Sequence, residues 1–146
     1  MKILLSRDGE LRVELHPLES ASTRPVRLAV APSAVRSDDV FCCHKTTNRA
    51  LYDRIAARHP DVDDVLLVNE RGEVTETCRA NVIFRCHDEW FTPPLASGGL
   101  AGIARQLLVD SGDVGERVLM LDQLGDVEEF AVVSSLRGRR SATLEA

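Results

Sequence analysis

The spacing of apolar and polar residues changes several times along the chain, and each change predicts a new element. In residues 1–16, two short apolar or alternating runs flank the turn-forming residues 7–9, which predicts a β-hairpin. Residues 17–25 are polar and bounded by prolines, so a connector is expected there, and the apolar run 26–32 predicts a strand. The beginning of the chain is therefore expected to be extended rather than helical.

Helical spacing begins just after residue 45. Leu51 and Ile55 lie four residues apart among alanines, and Pro60 closes the segment, which predicts an amphipathic helix of about three turns. Strands are predicted at 65–68, 73–78, 80–86, 89–92, 117–121 and 130–136. The middle and the end of the chain are therefore expected to be mostly sheet.

A second helix is predicted over residues 100–110. Ile103, Leu107 and Leu108 form its apolar stripe, and Gly112 is a natural stop after its end. Short strands joined as hairpins, together with two helices, place the chain in the α/β class, with a sheet that is rich in antiparallel pairs.

Composition narrows the classes of function. A chain of 146 residues suits one domain, and an apolar fraction of 44% supports a core. The formal net charge of −5 argues against general nucleic-acid binding, which needs a surplus of Lys and Arg. The apolar runs are too short for a membrane span and the first residues lack a secretory signal, so a cytoplasmic protein is expected. The four cysteines lack C-x-x-C spacing, so no metal site is predicted.

Three features that are weak alone gain meaning from their order along the chain. Lys45 by itself would normally be a solvated charge. Glu76, 31 residues later, lies in a predicted strand with Val74 and Cys78 as same-face neighbours, and a carboxylate on an apolar face needs a cation or a strong hydrogen bond. Residues 99–104 form a glycine-bearing helix start, which directs free backbone N–H groups at an anion.

An amine, a buried carboxylate and an anion-binding helix start are what pyridoxal 5'-phosphate requires of a protein. Its aldehyde reacts with an amine, its pyridinium nitrogen needs an acid partner, and its phosphate suits a helix N-terminus. The residues therefore predict this cofactor, with Lys45 as the amine.

Four segments carry a resemblance to a known family. The chain resembles, block by block, the class IV pyridoxal-phosphate-dependent aminotransferases (fold type IV) at HKTTNRALYD (44–53), VLLVNERGEVTETCRANVIF (65–84), FTPPLASGGLAGIARQLL (91–108) and VVSSLRG (132–138). The family includes 4-amino-4-deoxychorismate lyase, branched-chain aminotransferases and D-amino-acid aminotransferases. The resemblance implies their C-terminal cofactor-binding domain, an antiparallel-rich pseudo-barrel sheet with flanking helices.

The resemblance also implies how the chain is organised. Residues 1–146 are expected to form a single cofactor-binding domain, with a hairpin and connector over 1–40 and the family core over 41–146. Nothing in the first 40 residues resembles the additional N-terminal domain of roughly a hundred residues that relatives usually have, so that domain is expected to be absent. A homodimer, or association with a chain that supplies the other half, is expected, because the uncovered face should be apolar.

The resemblance implies roles for five residues of the cofactor site. Lys45 matches the Schiff-base lysine, and Glu76 matches the acid that pairs with the pyridinium nitrogen. Ile103 and Ala104 match the backbone pair that holds the phosphate, although many relatives carry a hydroxyl residue at the position of Ala104. Ser135 matches the hydroxyl residue on the far side of the phosphate.

Further positions are implied around the substrate. The amide of Leu136 matches a group that reaches the substrate carboxylate, and Arg137, with Arg139 and Arg140, would attract a dicarboxylate. An exposed basic strand end explains the same three arginines equally well. Arg49 falls near the position that contacts the phenolic oxygen of the cofactor in some relatives.

Within the family, the blocks KTTNR and SSLRG resemble the 4-amino-4-deoxychorismate lyase branch. That branch implies a β-elimination that releases pyruvate and leaves 4-aminobenzoate for folate synthesis, with Lys45 as the group that transfers the proton. Asn81 is expected to fix a strand turn rather than to touch substrate. Three alternatives stay open: a branched-chain or D-amino-acid aminotransferase, a non-catalytic remnant of the family, and an unrelated α/β binding domain with a coincidental lysine.

Overall fold

The computed structural model describes residues 1–18 and 23–145, so the predicted connector over 17–25 falls partly outside the described residues. The strands are β1 Lys2–Leu5, β2 Leu11–Glu14, β3 Val26–Val30, β4 Asp64–Val68, β5 Val74–Thr77, β6 Asn81–Cys86, β7 Glu89–Thr92, β8 Gly115–Glu116, β9 Glu129–Ser134 and β10 Gly138–Leu144. The α-helices are α1 Val40–Cys43, α2 Ala50–Ala56 and α3 Ile103–Asp110, and short 3-10 helices cover Leu95–Ser97 and Leu121–Asp126.

The main sheet has eight strands in the order β5-β4-β3-β10-β9-β6-β7-β8. β5 and β6 follow one another in the chain but are separated by four strands in this order, and the Thr77 N–H still bonds the Ala80 carbonyl at 2.9 Å between them. Such a short connection is possible only because the sheet curls back on itself. The result is a half-barrel with few helices, which confirms the predicted α/β fold with its antiparallel-rich pseudo-barrel sheet.

Buried side chains separate into three clusters. The first lies inside the curl and draws on six strands and on none of the α-helices: Val26, Leu28, Leu66, Val74, Val82, Phe84, Cys86, Leu119, Phe130, Val132 and Ala142. The second lies under α2: Val35, Tyr52, Ile55, Val65, Leu67 and Cys78. The third lies under α3: Ile83, Val114, Ala131 and Val133. Because side chains alternate along a strand, β4, β6 and β9 each supply both faces of the sheet.

The opening hairpin is confirmed and forms a separate two-stranded sheet. β1 pairs antiparallel with β2 in a register that sets Ile3 against Val13 and Leu5 against Leu11. Gly9 supplies the turn with a φ of 86°, a conformation that glycine adopts without steric cost. These four apolar side chains lie on one face of the hairpin and are all exposed. Within the described residues, no helix is long and apolar enough to cross a membrane.

The predicted strand over 117–121 is wrong. The Arg117 N–H bonds the Thr92 carbonyl, whereas the Leu119 carbonyl accepts from the Val74 N–H, so this segment crosses from one strand to another and pairs fully with neither. Only the two-residue β8 and an isolated bridge between Glu73 and Met120 form there. The sequence analysis also missed β10, whose polar residues hide the strand because few of its side chains are buried.

The predicted apolar stripe of α3 is wrong as well. Ile103 and Leu107 are 71% and 64% exposed, and the helix begins at residue 103 rather than at residue 100. Ala104 and Leu108 pack against the third cluster, and Arg105 is the buried residue between them. Its guanidinium donates to the Pro93 carbonyl and pairs with Glu116, so an ion pair occupies the face where a purely apolar contact was expected.

Candidate active site

Glu76 is the centre of the candidate site. It lies in β5, is 6% exposed, and accepts three hydrogen bonds. The Tyr52 hydroxyl donates to Oε1 at 3.3 Å, and the Asn81 side-chain amide and the Leu100 N–H donate to Oε2 at 3.4 and 3.2 Å. Within the described residues, no basic side chain forms an ion pair with this carboxylate. The site therefore holds a buried acid that faces its surroundings without a cation in contact.

Burial has a large effect on this acid. It raises the pKa of Glu76 from 4.5 to about 7, because the charged form loses its water. The hydrogen bonds from the Leu100 N–H and the Tyr52 hydroxyl, followed by the charges of Lys45 and Arg49, oppose this rise. A cationic ligand placed against Glu76 would relieve the remaining penalty.

One of the two predicted same-face neighbours of Glu76, Val74, lies on the other side of the sheet. Cys78 packs in the second cluster together with Tyr52, on the side of the sheet that α2 covers. Val74 packs in the first cluster, inside the curl. The register between β4 and β5 shifts between Leu66 and Val68, and this irregularity breaks the strict alternation on which the prediction relied.

Lys45 lies two residues after the end of α1 and is exposed. Asp39 caps α1 by accepting from the Phe41 N–H at 2.9 Å, and the buried Cys42 anchors the helix to the body of the domain. The Lys45 ammonium lies near enough for its charge to lower the Glu76 pKa. The structure thus brings the two residues that the sequence singled out within the range of electrostatic interaction.

Arg49 connects the start of α2 to the end of β5. Its Nη2 donates to the Cys78 carbonyl at 2.6 Å, and its guanidinium stacks over the Tyr52 ring at 4.9 Å from the centroid. Its charge also lowers the Glu76 pKa. Contact between Arg49 and a cofactor oxygen stays a prediction.

The start of α3 is fixed by two glycines at which a side chain would collide with a neighbour. At Gly102 a Cβ would lie 2.0 Å from the Asn81 Oδ1, and at Gly98, where φ is 97°, it would lie 2.6 Å from the Ser37 Cα. Asn81 also donates to the Leu100 carbonyl at 2.9 Å. The structure therefore places Asn81 as a brace between β6 and the segment that leads into the helix.

That helix start leaves backbone donors free. The Gln106 N–H bonds the Gly102 carbonyl at 2.9 Å as the first intrahelical bond, so the amides of Ile103 and Ala104 have no acceptor within the helix. Amides in this position bind phosphate groups well, and Ala104 needs only its backbone for such a contact. The geometry fits a phosphate, and the contact itself is a prediction.

Ser135, Leu136 and Arg137 form the turn between β9 and β10, and the Arg137 N–H donates to the Ser134 hydroxyl at 3.2 Å. Because Asn81 pairs with Val133, this turn lies at the same end of the sheet as the start of α3. A cavity of about 420 Å3 lies beside it, lined by Arg24, Pro25, Val26, Asp63, Asp64, Arg79, Ala80, Ser134, Leu136, Arg137 and Arg140. Arg139 does not line this cavity, because its guanidinium stacks on Trp90 at 3.8 Å.

Sequence reasoning missed Tyr52 as a site residue. Helix α2 was expected to bury Leu51 and Ile55, but the buried residues are Tyr52 and Ile55, three positions apart. Both spacings suit one helix face, so the pattern alone did not separate them. The signal that was available is the single tyrosine of the chain, seven residues after Lys45.

Comparison with known proteins identifies the family. The model of the amino-transferase class IV family matches residues 2–144, which is nearly the whole chain. The chain belongs to this family. A Schizosaccharomyces pombe protein with a provisional name as an aminodeoxychorismate lyase is 33% identical over 142 residues, covering 91% of this chain and 61% of its own length. The chain thus spans less than two thirds of that relative.

Solved structures agree with the fold. A provisionally assigned amino-acid aminotransferase from Mesorhizobium loti is 31% identical, with a TM-score of 0.92 over 98% of this chain and 71% of its own. A provisionally assigned 4-amino-4-deoxychorismate lyase from Legionella pneumophila is 26% identical, with a TM-score of 0.77 over 86% of this chain and 50% of its own. Dependence on pyridoxal phosphate is implied at the level of the family.

Proposed function

We propose that the chain is a pyridoxal-phosphate-dependent 4-amino-4-deoxychorismate lyase-like domain, which releases pyruvate and yields 4-aminobenzoate. The observation that carries the proposal is a buried carboxylate, Glu76, that has no ion-pair partner among the described residues and lies within electrostatic range of Lys45. The lyase branch is favoured by the S. pombe relative and by the KTTNR and SSLRG blocks. A role in folate biosynthesis in the cytoplasm is part of the proposal.

The residues present fit the cofactor. Buried Glu76, whose pKa is raised to about 7, would be the partner of a protonated pyridine nitrogen, because that nitrogen would provide the cation that the acid lacks. Ile103 and Ala104 would hold the phosphate through backbone N–H groups, with Ser135 on its far side. Lys45 would hold the aldehyde carbon.

The residues of the chain have separate roles in the proposed reaction. The cofactor, when bound, supplies an electron sink for the negative charge that develops on the substrate carbon. Glu76 keeps the proton on the ring nitrogen. The Lys45 amine moves a proton to and from the reacting carbon. The Leu136 amide and the Arg137 guanidinium would bind the carboxylates of the substrate, since both residues lie in the turn at the same end of the sheet as the start of α3.

An aminotransferase is the second candidate, because the M. loti structure, described as an amino-acid aminotransferase, matches nearly the whole chain. In either case we propose a homodimer, or association with a chain that supplies the other half of the pocket. The exposed apolar face of the hairpin supports this association. Light scattering of the purified protein measures it, and a monomer at all concentrations would count against it.

Turnover separates the candidates. The purified chain, loaded with pyridoxal phosphate, is given 4-amino-4-deoxychorismate, and both pyruvate and 4-aminobenzoate are measured. A parallel reaction holds an amino acid and 2-oxoglutarate, with glutamate as the readout. The proposal expects equimolar pyruvate and 4-aminobenzoate, lost in Lys45→Ala. Glutamate in place of these products would make the chain an aminotransferase, and inactivity in both reactions, in a protein that binds the cofactor, would favour a non-catalytic remnant.

A further inference from the structure

Tyr52 is the only tyrosine of the chain, and its hydroxyl is shared between two acceptors. The phenol oxygen lies 3.3 Å from the Glu76 Oε1 and 3.4 Å from the Phe41 carbonyl. A phenol has one proton and therefore donates to one acceptor at a time, while its oxygen also accepts. With the ring 7% exposed, water does not readily replace either partner.

The two protonation states of Glu76 make opposite demands on this hydroxyl. The ionised carboxylate only accepts, so Tyr52 donates to it. The neutral acid carries a proton that needs an acceptor, and its Oε2 is already faced by two donors, the Asn81 amide and the Leu100 N–H. The remaining acceptor is the Tyr52 oxygen beside Oε1, and Tyr52 then donates to the Phe41 carbonyl.

We propose that Tyr52 is a positioning residue whose hydroxyl turns between Glu76 and the Phe41 carbonyl as Glu76 loses or gains its proton. Neither the Tyr52 hydroxyl hydrogen nor the acid proton of Glu76 is left without an acceptor in either protonation state. The buried acid can therefore gain or lose its proton without leaving a buried donor unsatisfied. Phe41 lies in α1, whose capping bond is made to the Phe41 N–H and which Lys45 follows by two residues. The protonation of the acid is therefore linked to the segment that carries the amine.

The other groups that face Glu76 do not take over this role. Lys45 and Arg49 are cations that shift the titration of the acid but accept no proton from it. The Cys42 thiol lies beside the Tyr52 hydroxyl, and Cys78 lies on the same side of the sheet. Burial raises the pKa of both thiols, that of Cys78 to about 12, so they stay neutral while Glu76 titrates.

A single fluorine probe tests the inference on the cofactor-free protein. Because the chain has one tyrosine, growth on 3-fluorotyrosine labels position 52 alone. The 19F resonance is expected to move with the midpoint of Glu76, near pH 7, and to stay constant in Glu76→Gln. A resonance that does not move between about pH 5 and pH 9, or that moves equally in Glu76→Gln, would overturn the inference. The second outcome would assign the movement to another group, such as a histidine.

Tyr52→Phe supplies an independent measurement on an almost unchanged ring. Without the donor, the carboxyl stretch of protonated Glu76 in infrared spectra should titrate about one pH unit higher than in the parent protein, since a hydrogen bond to a charged group is lost. Ile55→Val removes a methylene from the same helix face and cluster and should leave the midpoint unchanged. An unchanged midpoint in Tyr52→Phe would contradict the coupling.

The consequence for the cofactor rests on the proposed function. A bound pyridinium keeps Glu76 ionised, so saturating pyridoxal phosphate should abolish the movement of the 19F resonance near pH 7. Protein that fails to bind the cofactor but keeps the titration would refute the proposed function and leave the inference standing. Bound cofactor with a resonance that was already constant before its addition would refute the inference alone.

Discussion

Glu76, the buried acid at the centre of the site, makes the free energy of unfolding decrease as the pH rises. The pKa of Glu76 is raised from 4.5 to about 7, so the folded chain holds a proton that the unfolded chain has released. The contribution of Glu76 to the free energy of unfolding is fully present below about pH 4.5 and is lost as the pH rises through 7. Each unit of pKa difference corresponds to about 1.4 kcal/mol, so the loss amounts to about 3 kcal/mol.

Glu76→Gln removes this loss, because glutamine imitates the neutral acid. Its carbonyl can accept from Asn81 and Leu100, and its amide can donate to the Tyr52 oxygen. The cofactor-free variant should match the parent near pH 4 and exceed its free energy of unfolding by about 3 kcal/mol at pH 8. Urea unfolding followed by the fluorescence of Trp90, the only tryptophan, measures both proteins across this range.

Glu73→Gln is the matched control, one strand position from the start of β5. Its pKa is lowered to about 2, first by the hydrogen bond from Arg71 and next by that from Asn69, so it stabilises the fold above pH 4.5. This variant should therefore lose stability at pH 8, by about 1 kcal/mol because Arg71 is partly exposed. A difference between Glu76→Gln and the parent that stays constant with pH would refute the account of a raised pKa.

Other predictions concern the frame of the site. Gly98→Ala should lower the free energy of unfolding by more than about 2 kcal/mol, because its Cβ would meet the Ser37 backbone. Gly112→Ala is the control, since Gly112 has the same positive φ but open space around it, and it should cost about 1 kcal/mol in thermal unfolding. Gly102→Ala should weaken pyridoxal phosphate binding at least about tenfold in a fluorescence titration, since its Cβ would displace Asn81 from the start of α3. An unchanged affinity would show that this helix start is not part of the proposed phosphate site. Arg105→Met should cost about 3 kcal/mol in urea unfolding, because Arg105 is buried and supports both Pro93 and Glu116, and a loss below 1 kcal/mol would contradict this role.

Local sequence patterns predicted those elements in which buried side chains alternate with exposed ones or follow one another without a break. The hairpin and strands β4, β6 and β7 follow directly from their apolar runs and turns, and β9 begins one residue before its predicted start. Strand β10 could not be predicted in this way, because few of its side chains are buried and one of its two neighbours, β3, comes from a distant part of the chain. The prediction of the apolar stripe of α3 was wrong because the buried face of the helix holds the ion pair between Arg105 and Glu116. Hydrophobic spacing does not reveal such a pair.

The candidate site was predictable as residue types in order, but its geometry was not. Lys45, Glu76 and the start of α3 were singled out from the sequence, and in the structure the charge of Lys45 lowers the Glu76 pKa. The role of Tyr52 depends on the distance between a helix and a strand that lie 24 residues apart in sequence, and no local pattern encodes it. The β4–β5 irregularity, which moves Val74 away from the site, is likewise a property of strand pairing.

Covalent trapping tests the central claim most directly, and the chain supplies its own control. It has two lysines: Lys45, whose charge lowers the Glu76 pKa, and Lys2 on the separate hairpin, where it pairs with Glu14. The protein is incubated with a slight excess of pyridoxal phosphate, reduced with borohydride and digested, and both lysine peptides are analysed by mass spectrometry. The account predicts the reduced cofactor on Lys45 at near-stoichiometric yield, with Lys2 essentially unmodified. Equal labelling of the two lysines, or an unmodified Lys45, would contradict it.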